Sequence, residues 1–269
     1  MRALRILGLA AVLAAATASP AAAGAGWDKI STPAPGPARS IGAHAAGCLA
    51  GGVALSPEGP GWLLLRGQRQ RFWGHPGLIA ALTDLGRQAA GHGLTLLIGD
   101  LGQPRGGPMP NGHSSHQTGL DADLWFRLDR PADPENPLAV TLVRADGMAI
   151  DEAVFRPEHV RLLTLAASHP EIDRVFVNAA IKKALCRERL DPRAQAKLRP
   201  WWGHSAHFHI RLACAEGDSD CAPQAPLAAG DDGCGSGLDW WFGEEARTPK
   251  PSTPPAERPL PAACAGLLK

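Results

Sequence analysis

Polar and apolar residues alternate strictly late in the chain and predict a strand running from His207 to Leu212. In a strand, successive side chains point to opposite faces, so Phe208, Ile210 and Leu212 face the core. His207 and His209 then project together from the other face. The pattern therefore predicts two imidazoles side by side at one surface of a sheet.

A second run, residues 121–126, predicts another strand, entered from a glycine-rich loop. The loop carries His113 and His116, and Asp123 stands where the strand begins. Binding and catalytic residues are often carried by such loops on a rigid scaffold. We therefore expect this loop and the histidine strand to meet at one site.

The remaining pattern indicates both helices and strands. Leucines with helical spacing follow Pro76, which is favoured at the first position of a helix, and Gly91 and Gly93 end the pattern. Further segments are predicted as strands (61–66, 94–98, 174–177) and as helices (158–168, 180–188). This uneven order favours a single α+β domain with a mostly antiparallel sheet and flanking helices.

The N-terminus has the features of a secretory signal peptide: basic residues, a short apolar run and a small-residue cleavage region. We assign it to residues 1–23, because a membrane span needs about 20 apolar residues. No later stretch is long and apolar enough to span a bilayer. Cleavage removes two arginines and no acidic residue, so the formal net charge changes from +1 to about −1. A near-neutral protein has no general attraction to nucleic acid or anionic lipid, and we expect neither as a partner.

Residues 24–245 are predicted to form one domain, and residues 246–269 a proline-rich, extended tail that ends near Cys264. All six cysteines follow the predicted cleavage site. An even count in an exported chain favours three disulfides over metal ligation. Fifteen pairings are possible, and spacing alone suggests only a local loop from Cys214 to Cys221.

The histidines and the aspartate have the ligand chemistry of a catalytic zinc site, which uses imidazole and carboxylate and keeps one position for water. His116, Asp123 and one of the two strand histidines supply three ligands. Such a site keeps about one positive charge, so a zinc ion could lower the pKa of its water from about 15.7 to roughly 7. Taken alone, a His-x-His strand is more often a pair of ordinary surface or core histidines. The prediction therefore depends on the co-occurrence of the two motifs.

Three segments resemble the penicillin-insensitive murein endopeptidases: GHSSHQTGLDAD at 112–123, RVFVN with IKKALC between 174 and 186, and RPWWGHSAHFH at 199–209. The similarity runs from about Ser40 to the last cysteine. The core of this family is similar to those of lysostaphin-type and D-Ala-D-Ala metallopeptidases and of hedgehog-type proteins. The resemblance therefore implies the same α+β core here.

The resemblance also implies the site and its reaction. Zinc would be bound by His116, Asp123 and His209, with His113 counted in the same metal cluster. The implied reaction is hydrolysis of the D-alanyl to meso-diaminopimelyl cross-link of periplasmic peptidoglycan. Because no serine nucleophile takes part, the activity would be insensitive to β-lactams. The implied disulfides join Cys48 to Cys264, Cys186 to Cys234, and Cys214 to Cys221.

The roles of the remaining residues stay open at this point. His207 is expected to act as general base or to steady the developing oxyanion, and His204 to deliver a proton, but spacing does not settle which histidine does which. Some family members hold a second metal with an aspartate and a histidine three residues later. Here Asp146 matches the aspartate, whereas Ala149 stands in place of the histidine. Arg105 would either line the substrate cleft or belong to a plain solvated loop.

Two other functions compete with the endopeptidase. A non-catalytic, zinc-dependent wall-binding protein would keep the fold for recognition, but it would not need His207 beside the ligands. A zinc D,D-carboxypeptidase would remove terminal D-alanine instead of cutting cross-links. The endopeptidase and the carboxypeptidase differ in substrate: the first acts on a cross-linked dimer and the second on an uncross-linked pentapeptide.

Overall fold

The computed structural model describes residues 26–110, 113–247 and 258–269. The predicted signal peptide of residues 1–23 lies outside these ranges, as does part of the proline-rich tail.

The described chain folds into strands and helices of mostly short length. The strands are β1 (Arg39–Ala43), β2 (Ala46–Ala50), β3 (Val53–Ala54), β4 (Glu58–Gly59), β5 (Trp62–Leu64), β6 (Trp73–Gly74), β7 (Leu96–Ile98), β8 (Asp121–Trp125), β9 (Ile172–Val177), β10 (Leu198–Pro200) and β11 (His207–Leu212). The helices are α1 (Pro76–Gly91), α2 (Pro157–Ser168), α3 (Ala179–Leu185), α4 (Pro192–Lys197), α5 (Ser236–Asp239), α6 (Glu244–Arg247) and α7 (Ala262–Ala265).

A seven-stranded sheet organises the fold, in the order β10-β9-β11-β8-β7-β5-β4. Its central pairs, β9 with β11, β11 with β8, and β8 with β7, are antiparallel. The pairs β10 with β9 and β5 with β7 are parallel. The predicted α+β class with a mostly antiparallel sheet is therefore confirmed.

Helix α1 begins at the predicted proline and packs its predicted apolar face against the sheet. The Nδ1 atom of His75 accepts a hydrogen bond from the backbone N–H of Gly77 and caps the helix, and Pro76 occupies its first turn. Leu78, Leu82 and Leu85 are buried in the main core, where β8 and β11 also place apolar side chains. The apolar stripe thus holds the helix against the sheet that carries the histidines.

Three disulfides close the structure, and they are the three pairs that the family resemblance implies. They join Cys48 to Cys264, Cys186 to Cys234, and Cys214 to Cys221. The first bridge connects β2 to α7, next to the C-terminus. Disulfides of this kind persist in oxidising compartments.

Within the described ranges, no helix combines the length and the apolar character that crossing a membrane requires.

Candidate metal centre

The register of β8 against β11 builds the floor of the site. His209 lies directly opposite Asp123, and His207 lies opposite Trp125. Phe208 is fully buried on the other side of the strand. The predicted alternation of β11 is therefore present, with both histidines on the face of the sheet that carries Asp123.

The loop before β8 adds the other two histidines. His116 is 1% exposed and has a left-handed backbone, with φ of 66°. Non-glycine residues in this conformation cost on the order of 1 to 3 kcal/mol and persist where the surroundings fix them, often at functional sites. The Nδ1 atom of His116 donates a hydrogen bond of 2.7 Å to the carbonyl oxygen of Leu101, which fixes the imidazole in place.

These elements bring the predicted ligands together. One ligand atom from each of His113, His116 and Asp123 lies within 4.8 Å of the others. The Nδ1 atom of His209 is 3.1 Å from Oδ1 of Asp123, and Nε2 of His116 is 3.4 Å from the same oxygen. Three imidazoles from one loop and one strand thus meet around the carboxylate of Asp123.

The orientation of the imidazoles fits a metal ion. Each of the three histidines donates its outer N–H away from the cluster: His116 to a carbonyl, His209 to Asp121 at 2.6 Å, and His113 to Asp100 at 2.9 Å. In its neutral form each imidazole therefore turns a nitrogen lone pair toward Asp123, whose carboxylate only accepts hydrogen bonds. Buried Nε2 of His116 and buried Oδ1 of Asp123 have no hydrogen-bond partner. Converging lone pairs without donors need a cation, and histidines held from behind in this way are typical of metal sites.

Two carboxylates that sequence analysis did not single out hold these histidines. Asp121 is fully buried and also accepts a hydrogen bond of 2.7 Å from Nε of Arg211. Asp100 is paired with Arg69 and Arg71, each at 3.0 Å. The strand pattern contained a signal for Asp121, because residues 121 and 123 share one face of β8. Asp100 follows β7, and its contact with His113 depends on the path of the loop.

The charges around the cluster favour a positive charge at its centre. Burial alone would raise the pKa of Asp123, but His116 and His209 hold it well below its usual range. Burial would likewise raise the pKa of Asp121, but Arg211 and His209 lower it. Burial would lower the pKa of His209, yet the two aspartates raise it. Both carboxylates are therefore ionised at neutral pH.

His207 and His204 lie beside the cluster. Nε2 of His207 is 3.7 Å from Oδ1 of Asp123, and its side chain is 32% exposed. The ring of His204 is centred 5.0 Å from that of His207 and 5.9 Å from that of His209. Burial lowers the pKa of His207 and, together with the charges of His209 and His207, lowers the pKa of His204 to about 4. Both imidazoles are therefore neutral at pH 7 and can accept a proton.

Two other residues from the sequence analysis lie elsewhere. Asp146 is exposed, and its carboxylate accepts a hydrogen bond from the backbone of Met148 two residues away. It does not join the ligand cluster found among the described residues. Arg105 donates hydrogen bonds to backbone oxygens of Thr32, Leu267 and Lys269. It thus ties the segment that contains Thr32 to residues 267–269, a role that the sequence did not indicate.

A mostly antiparallel sheet and loop that present histidine and aspartate side chains in this way are typical of a metal-binding protein. Comparison with known proteins identifies the family. The family model described as penicillin-insensitive murein endopeptidase matches residues 40–269. The chain belongs to this family, and the predicted resemblance is confirmed.

Individual relatives support the same assignment over nearly the whole chain. A penicillin-insensitive murein endopeptidase of Klebsiella pneumoniae subsp. pneumoniae is 41% identical, with 96% of each chain covered. One of Haemophilus influenzae is 41% identical over 90% of this chain and 87% of the relative. One of Escherichia coli O1:K1 is 40% identical, with 96% of each covered.

This membership makes the chain a peptidase, and the predicted enzyme class is confirmed. The family is one of metallopeptidases, which implies a metal. The three disulfides and the family together indicate a protein that works outside the cytoplasm.

Proposed function

We propose that the protein is a zinc-dependent endopeptidase that hydrolyses the D-alanyl to meso-diaminopimelyl cross-link between peptidoglycan stem peptides in the periplasm. The observation that carries this proposal is the convergence of imidazole lone pairs on Asp123, with each outer nitrogen already engaged. The curated relatives carry the name of the same reaction class.

His116, Asp123 and His209 would hold the ion, with His113 counted in the same cluster. Two or three nitrogens with one carboxylate oxygen, and no thiolate, are the ligands of catalytic zinc. When bound, zinc supplies a Lewis acid that polarises a carbonyl oxygen and acidifies water.

His207 is the general base or oxyanion donor in this proposal. It shares the strand face of His209, is neutral at pH 7, and is exposed enough to meet a substrate. His204 is the partner in proton transfer, through which the proton lost by the attacking water reaches the leaving amine. Its Nδ1 donates a hydrogen bond of 2.8 Å to the carbonyl oxygen of Trp202, which leaves Nε2 free to accept and return a proton. The chain contains no tyrosine, so no phenol can take either role.

The proposed pathway has no serine nucleophile that a β-lactam could acylate, which accounts for insensitivity to these drugs. Residues 1–23 would direct export as a signal peptide. Residues 24–245 would form the metallopeptidase domain, and residues 246–269 a tail held back by Cys264.

The test is mass spectrometry of muropeptides after the purified mature protein has digested cross-linked peptidoglycan. We expect cross-linked dimers to become monomers, the reaction to stop with a chelator, and zinc to restore it. An uncross-linked pentapeptide should stay intact, because the reaction requires the cross-link. Loss of its terminal D-alanine would instead identify a carboxypeptidase, and intact dimers with zinc-loaded protein would overturn the enzymatic proposal.

A further inference from the structure

Four tryptophans form an exposed cluster beside the candidate metal centre. Trp201 and Trp202 are each 48% exposed and Trp240 is 36% exposed, while Trp241 is partly buried. Trp202 is central, with ring centroids 5.3 Å from Trp201, 6.0 Å from Trp240 and 4.5 Å from Trp241. We call these four residues the tryptophan platform.

The platform is built from two distant segments whose positions are fixed. Trp201 and Trp202 follow β10, and Trp240 and Trp241 follow α5. The indole N–H of Trp202 donates to the carbonyl oxygen of Ala246 at 3.0 Å, and that of Trp240 donates to Glu245 at 3.1 Å. The Cys186–Cys234 disulfide anchors the chain just before α5. The rings are therefore held in place before any ligand binds, which lowers the entropic cost of binding.

Packing alone does not account for this arrangement. Large apolar side chains that serve only the core are normally buried, and a contiguous exposed apolar patch marks an interaction site. Here three neighbouring tryptophan residues each leave a third or more of their surface in solvent.

The platform is continuous with the metal centre. The ring of Phe176 packs edge-on against Trp201, with centroids 5.8 Å apart, and against His209, with centroids 5.5 Å apart. The rings of Trp201 and His209 are thus no more than about 11 Å apart. A stem peptide that is cut at the metal centre spans at most about 3.3 to 3.6 Å per residue. The sugar that bears it must therefore lie within a few residues' length of the metal, and Trp201 lies within that distance of His209.

We infer that the tryptophan platform binds the amino-sugar rings of a peptidoglycan glycan strand while the stem peptide enters the metal centre. This inference rests on the proposed function. The faces of pyranose rings present flat arrays of C–H groups that match exposed indole faces, and the sugar hydroxyls stay in water at the rim. The cross-link itself offers only the methyl group of D-alanine and the charged side chain of diaminopimelate. A peptide of this kind has no apolar group large enough to cover the platform, so the glycan is the better occupant.

The test measures the affinity of the full mature protein for soluble glycan strands by isothermal titration calorimetry. All stem peptides have been removed from these strands. The variants are Trp202→Ala and Trp240→Ala, with Trp202→Phe to retain a ring. Leu138→Ala is the matched control, because Leu138 is another exposed apolar residue, 76% exposed, and lies outside the platform. We expect about tenfold weaker binding in each alanine variant, near wild-type affinity in Leu138→Ala, and substantial recovery in Trp202→Phe.

The same variants should then be assayed on two substrates that share the cross-link, one with its disaccharides and one a sugar-free peptide dimer. For Trp240→Ala, which lies away from the backbone that holds His204, the platform predicts a higher KM for the sugar-bearing substrate only, with kcat unchanged. Peptide-free glycan that fails to bind wild-type protein, or binds all variants alike, would overturn the inference even if the cross-link is cut. Glycan binding that depends on the platform, together with intact cross-links, would instead disprove the proposed endopeptidase and leave the platform in place.

Discussion

Two buried polar regions of this molecule differ in how their atoms are satisfied. Lys182 has no exposed surface, and its ammonium group donates to the backbone oxygens of Gln195 at 2.8 Å and Asp232 at 2.6 Å. At the candidate metal centre, by contrast, acceptors converge on Asp123 and the donors point outward. A buried donor such as Lys182, whose hydrogen bonds are made within the protein, has a purely structural explanation. Buried acceptors that face each other without a donor require a cation between them.

The Lys182 region therefore has a structural explanation. Its ammonium group joins α3 to α4 and to the segment that carries Cys234, close to the Cys186–Cys234 bridge. Burial, together with the nearby Arg199 charge, lowers the pKa of Lys182 to about 8. Such a perturbed lysine could suggest a functional site, but its hydrogen bonds account for it without a ligand.

The largest effect should come from removing His209, one of the proposed ligands of the metal centre. His209→Ala removes a lone pair from the cluster and should abolish zinc binding at stoichiometric metal. We expect turnover of cross-linked dimers to fall by more than about a hundredfold, since even outer-shell changes at metal sites cost 10- to 100-fold. Metal content by atomic emission and dimer cleavage measure the two effects. His92→Ala, at an exposed histidine away from the cluster, is the control, and full zinc occupancy in His209→Ala would contradict the comparison.

The next effect tests the groups behind the ligands. Asp121→Asn keeps the shape of the side chain but weakens the hold on His209, so zinc affinity should fall about 10- to 100-fold. Competition with a chromogenic chelator measures this change directly. Activity should recover at saturating zinc, which separates lost affinity from misfolding. Unchanged affinity would show that His209 does not need Asp121 to present its nitrogen.

Replacing Lys182 should lower the stability of the fold without changing zinc binding or cross-link cleavage. Lys182→Met leaves the buried carbonyl oxygen of Gln195 and the partly buried one of Asp232 without this donor, so we expect a loss of about 2 to 4 kcal/mol in the free energy of unfolding. Guanidinium titration measures it. Zinc content and cross-link cleavage, assayed well below the melting temperature, should match the wild type. A variant that keeps its stability but loses turnover would mean that Lys182 belongs with the functional residues.

The pH dependence of stability tests whether Lys182 is held in the fold with a lowered pKa. The pKa of Lys182 is about 8 in the folded protein, below its ordinary value of 10.5, so the unfolded chain binds more protons between these values. Stability from this group therefore rises as pH increases through that window, because the unfolded chain still binds the proton that the folded protein has released. Relative to Lys182→Met, the wild type should gain on the order of 1 to 3 kcal/mol between pH 8 and 10.5. A constant difference would contradict the assigned cause.

The sequence was sufficient where local pattern decides the structure. Strand β11 begins and ends at the predicted residues because its alternation is strict, and α1 begins at the predicted proline. The hairpin of β1 and β2 was missed, since its run of small residues has little periodicity. Strand β10 was missed because it pairs in parallel with β9 through long-range contacts that no local pattern encodes.

The same division holds within the site. The shared face of His207 and His209 follows from a period of two, and so would that of Asp121 and Asp123. The pairing of His113 with Asp100 required the path of a loop, and the tryptophan platform required two segments nearly forty residues apart to meet. Family resemblance supplied the ligand set and the disulfide pairs that spacing alone left open.

The smallest effect is expected at Asp146, which tests the comparison from its other side. This carboxylate is exposed and already accepts a hydrogen bond within its own turn, so by the same reasoning it needs no cation. Asp146→Asn should change stability by less than about 0.5 kcal/mol and leave zinc stoichiometry and turnover as in the wild type. Zinc titration of the metal-free protein counts the bound ions. A second equivalent that disappears in Asp146→Asn would mean that an exposed, partnered carboxylate can still be a ligand, and that converging lone pairs mark only one of two metal sites.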